Sequence, residues 1–146
     1  MKALARENAA AFLLLISMAL FAAGCASGPT AAQRSYTERK AAEAGRAGFE
    51  ALDNEDYRMA LDNFMLALRL NRSVDNRAGE IKDLINIGRV HIALNDVKSA
   101  ETHLSDAVRL AADAKEEAYL SAALASLAKV LYIEGDSQKA LADIER

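Results

Sequence analysis

The chain is poor in the residues that most site chemistry needs. Of 146 residues one is Cys, one is Pro, two are His and none is Trp. A single Cys closes no intramolecular disulfide and shares no zinc site with a second thiolate. The two histidines, His91 and His103, fall on different predicted helices at phases that do not converge. No metal site is therefore expected. No glycine-rich phosphate loop, serine-nucleophile motif or isolated carboxylate pair occurs. Asp113, Glu116 and Glu117 read as a solvated cap at a helix junction, and the chain is expected to be non-catalytic and without a cofactor. Long runs of one charge sign are also missing, and the net charge is −3. That balance disfavours nucleic acid, which rewards clustered Lys and Arg. With one Pro and seven Gly there are few helix breakers, and abundant Ala and Leu cost little rotamer freedom in a helix. An all-α chain is expected.

The longest apolar run, Ala9 to Ala23 interrupted by Ser17, is about 15 residues, short of the roughly 20 that span a bilayer. Lys2 and Arg6 precede it and small residues follow, the three-part layout of a secretory signal. Ala22-Ala23-Gly24-Cys25 resembles the lipobox of bacterial lipoproteins, with Ala22 where that family usually has an aliphatic residue. The resemblance implies a signal peptide over 1–24, a covalent lipid (diacylglycerol and a palmitate-type acyl chain) on Cys25, and stable membrane anchoring. Ala26 in place of the family's retention Asp implies the outer membrane, facing the periplasm. Cleavage by an ordinary signal peptidase is the alternative. A buried structural cysteine fits poorly with the loop-like Ala26-Ser27-Gly28-Pro29-Thr30. Residues 25–35 are expected to be a flexible tether holding the domain about 17 Å from the lipid.

Beyond the tether the sequence repeats itself at forty residues. Ala60, Ala100 and Ala140 are evenly spaced; so are Gly48, Gly88 and Ala128, then Phe64, Leu104 and Ile144, then Asp56, Asp96 and Asp136, and Ala67 pairs with Ala107. The Asp of each series suits a helix N-cap, and Ala, a large apolar residue four on and Ala three later line one helix face. Ser35-Tyr36-Thr37-Glu38 reads as a capping box, with Asp75 one period on. Helices are expected near 36–54, 57–71, 76–94, 97–113, 116–134 and 137–146.

This pattern resembles the tetratricopeptide repeat (TPR), over residues 36–146. The small residue of the family's first helix is matched by Gly48, Gly88 and Ala128, and the Ala-large-Ala face of its second by Ala60-Phe64-Ala67 and Ala100-Leu104-Ala107. The usual period is 34, so the helices here are about three residues longer, and the closing Pro is absent. A simple helical bundle is the bland alternative. The resemblance implies a TPR-type α-solenoid of antiparallel helix hairpins, about two and a half to three repeats. It also implies a partner-binding groove lined by Phe49, Leu52, Lys82, Ile85, Arg89, Ile92, Ala125, Lys129 and Tyr132. Apolar residues mixed with Lys82, Arg89 and Lys129 suit a peptide with an acidic or carboxylate feature. Gly45 and Phe49 stand where chaperone-tail clamps need Lys and Asn, so a chaperone tail is not the expected ligand.

A lipid-anchored adaptor or scaffold of the bacterial cell envelope, of the pilotin-like or envelope-assembly class, is therefore expected. Two alternatives stand beside it: the N-terminal regulatory region of a longer envelope enzyme, or a homo-oligomeric structural subunit. No third counterpart of Ala67 and Ala107 is reached before Arg146. The face of Leu127, Leu131, Leu141 and Ile144 is accordingly expected to meet more chain or a partner, including a second copy.

Overall fold

A computed structural model of the chain describes residues 28–144, with side chains through residue 135. The expected signal peptide over 1–24, Cys25 and the side chains of Ala140, Leu141 and Ile144 lie outside the described residues. Five helices follow one another: α1 (Ala31–Asp53), α2 (Tyr57–Ser73), α3 (Arg77–Ala93), α4 (Val97–Ala114) and α5 (Glu117–Ile144). Among the described residues there is no strand. Each helix packs on its neighbour in sequence, and α3 also touches α5.

The corners repeat at twenty residues. Glu55, Asp75, Asn95 and Lys115 all take positive φ, between 55° and 58°. At the first corner Glu55 N–H donates to Leu52 O and Asp56 N–H to Ala51 O, both 2.9 Å; the same pair of bonds recurs at 75/76, 95/96 and 115/116. This is the Schellman arrangement, which satisfies carbonyls that the helix end leaves free. None of the four left-handed residues is Gly, so each corner carries a backbone cost of about 1 kcal/mol that these bonds offset. The following residue then opens the next helix. Side chains of Asp56, Asn76 and Asp96 accept from the N–H of Met59, Gly79 and Ser99 at 3.0–3.1 Å. Closing one helix and opening the next with adjacent residues leaves no linker, so consecutive helices turn directly back onto one another and pack as neighbours.

That geometry fixes the packing. Gly48 and Phe64 each lie eight residues from Asp56, and Gly88 and Leu104 each lie eight from Asp96. A Cβ added to Gly48 would meet the Phe64 ring at 2.7 Å, and one added to Gly88 would meet Leu104 at 2.5 Å. Both glycines are therefore needed for close approach. Ala60, Ala67, Ala100 and Ala107 are fully buried. Between α2 and α3 the contact adds a polar cluster to the apolar core that both helices share. Asn71 donates to Asp83 (2.7 Å) and accepts from Asn76 (2.8 Å), while Glu80 holds Arg72 and Arg77 at 2.9 and 2.8 Å.

Three expectations need correction. Helix α1 begins at Ala31 rather than at 36, so the tether expected over 25–35 is helical in its last residues. A capping box forms five residues earlier, with Gln33 N–H donating to Thr30 Oγ1 (3.3 Å) and Thr30 N–H to Gln33 Oε1 (2.9 Å). Asp75 is the left-handed residue of its corner, and Asn76 is the cap. The break expected at Asp136 is absent, because one helix runs from Glu117 to Ile144.

Candidate functional site: a cleft between α3 and α5

The contact between α3 and α5 leaves a cleft of about 350 Å³ lined by Arg89 and Ile92 from α3 and Ala125, Ser126 and Lys129 from α5. Arg89 and Ile92 are three apart on α3, and Lys129 lies four from Ala125 and three from Ser126 on α5, so each set faces the cleft. Arg89 Nε donates to Ser126 Oγ at 3.3 Å, and that hydroxyl in turn donates to Ala122 O at 2.9 Å. The guanidinium is thus held across the seam between the two helices. Arg89 and Lys129 remain exposed beside the half-buried Ile92. Two cations, one ordered hydroxyl and an apolar floor suit an anionic group next to a hydrophobic one. A second cleft of similar size, lined by Val97, Lys98, Glu101 and Glu134, has the opposite charge balance.

Of the residues assigned to a groove from sequence, Arg89, Ile92, Ala125 and Lys129 meet in this cleft. Tyr132 is exposed one turn beyond Lys129, and Lys82 is half-buried earlier on α3. Phe49 packs edge-on against Phe64, with centroids 5.1 Å apart, and keeps part of its surface exposed. Leu52 is half-buried against the core, and Ile85 belongs to the core.

Sequence reasoning passed over Ser126. It stands forty residues after Asn86, and both are buried polar residues, so a hydroxyl at an interior phase was the available signal. It also passed over Asp83, which is 1% exposed. Burial pushes its carboxyl up to about 6, against the pull of the Asn71 hydrogen bond and Lys82. One of its oxygens, and the Asn86 amide nitrogen, find no partner among the described residues. The histidines do converge, contrary to the sequence expectation. Their rings lie edge-to-face with centroids 5.4 Å apart, across the contact between α3 and α4. His91 Nδ1 is 3.2 Å from Asp96. Burial, and then the neighbouring His91, lower the His103 pKa. The hydrogen bonds from Ser99 lower that of Asp96.

Among the described residues no three His, Cys, Asp or Glu side chains gather closely enough to hold a metal ion. Nor is any helix there long and apolar enough to cross a membrane. No family model, curated protein or solved structure matches the chain.

Proposed function

We propose that this chain is a lipid-anchored TPR-type adaptor of the bacterial cell envelope, tethered through Cys25, that holds a protein partner in the cleft between α3 and α5. Linker-free corners and the Gly48–Phe64 and Gly88–Leu104 contacts support the TPR-type reading. The observation that carries the functional reading is the cleft itself, where Arg89, tied to Ser126, and Lys129 stand over Ile92. Such a surface accepts a peptide with a carboxylate beside an apolar side chain. Lipid on Cys25 keeps that surface near the membrane and raises the effective concentration of an envelope partner.

A photocrosslinking residue placed in cells at Lys129 should give a discrete protein adduct, and one placed at the exposed Thr102 of α4 should not. Adducts from Thr102 alone would remove the cleft from the proposal. Labelled palmitate should enter the wild-type chain and not Cys25→Ser; equal labelling of both would remove the anchor.

A further inference from the structure

We infer that the exposed face of α5 is closed by the chain's own residues 137–144, with Gly135–Asp136 serving as a fifth corner. Helix α5 then alternates between the continuous helix observed and a hairpin. Four corners fall at 55/56, 75/76, 95/96 and 115/116, and the next step of twenty is 135/136. There the sequence has Gly followed by Asp, the pair best suited to a left-handed residue and an N-cap. The four corners already formed manage with Glu, Asp, Asn and Lys. In the continuous helix Gly135 has no such role: its φ is not positive, and a Cβ added there would meet nothing within 4 Å. Packing therefore does not explain a residue that weakens a helix interior.

The face that a folded-back segment would cover is open. In both complete hairpins the small residue eight before the cap is covered by the large residue eight after it: Gly48 by Phe64, Gly88 by Leu104. Ala128 lies eight before Asp136 and Ile144 eight after it, and Ala140 continues the Ala60 and Ala100 series. Ala128 is exposed, as are Leu124 and Leu131 on the same stripe. The register that closed the first two hairpins thus names residues 137–144 as the occupant of the third.

Paired cysteines test this in the full-length chain carrying Cys25→Ser, so that only introduced thiols react. In the continuous helix residues 128 and 144 are about 24 Å apart, whereas a disulfide needs Cα atoms within about 7 Å. Ala128→Cys with Ile144→Cys should form an intrachain disulfide under mild oxidation. Ala128→Cys with Ala142→Cys, where the second thiol is turned about 160° around the helix from position 144, should react at least tenfold more slowly. Adding Gly135→Ala to the first pair should slow its closure about fivefold or more, since Ala disfavours the left-handed corner and favours the continuous helix. Thiols that stay free, equal rates for the two pairs, or disulfides only between chains would each overturn the inference; the last would assign the face to a second copy.

Discussion

Helix α3 and the first half of α5 hold equivalent places in the repeat, forty residues apart, and they end up in different surroundings. Ten of the 17 residues of α3 are buried, because α2, α4 and α5 all pack against it. Helix α5 has α4 and α3 on one side and leaves Leu124 and Leu131 exposed on the other. The repeat spacing specifies a surface, and only a neighbour makes that surface core. Enclosure also buries polar residues on α3, and α2 supplies hydrogen bonds to two of them, from Asn71 to Asp83 and from Arg72 to Glu80, as buried polar groups require. The orphaned oxygen of Asp83 shows that this supply falls short.

The comparison predicts a descending series of effects. Leu104→Ala should cost about 2–5 kcal/mol in chemical denaturation, since it empties the space above Gly88. An unchanged midpoint would mean that the α3/α4 contact is not tight. Gly88→Ala should cost about 1–3 kcal/mol through overpacking against Leu104, whereas Ala128→Leu, at the equivalent position on α5, should stay within about 0.5 kcal/mol. Equal losses at the two sites would erase the distinction between enclosed and open helices.

Asp83 sharpens the contrast through pH. Its folded-state value of about 6 lies above the ordinary 3.8, so folding favours the protonated form. Its contribution is therefore most favourable below about pH 4, falls as pH rises towards 6, and is lower by about 2–3 kcal/mol above that. Asp83→Asn should match wild type near pH 4 and exceed it in stability at pH 7 by up to that amount. Parallel pH profiles for the two proteins would contradict the burial argument. A modest loss is expected at a corner: Asp96→Ala removes one cap and should cost about 1 kcal/mol, read as a lowered melting temperature.

The packing was largely legible because the forty-residue series marks contacts directly: Gly48 with Phe64, Gly88 with Leu104, and the buried alanines between. The corners were half legible. Asp56 and Asp96 announce their caps, but of the four left-handed corner residues only Asp75 and Asn95 are of a type that favours the conformation, and Glu55 and Lys115 carry no such mark. Two capping boxes compete at the start of α1, and Thr30-Ala31-Ala32-Gln33 prevails over Ser35-Tyr36-Thr37-Glu38. The expected break at 135/136 shows the converse. Capping residues permit a corner without compelling it, because leaving the helix gives up backbone hydrogen bonds that packing must offset. Within the cleft, Arg89, Ile92, Ala125 and Lys129 are among the groove positions that the TPR resemblance implies, while the Arg89–Ser126 bond depended on how closely α3 approaches α5, which no spacing specifies.

The central claim is that the charged cleft between α3 and α5 holds the partner. Its most direct test is the yield of the Lys129 adduct in cells expressing Arg89→Glu. The account predicts at least a tenfold loss of adduct with an unchanged helical circular dichroism signal and melting temperature, and an undiminished adduct would contradict it.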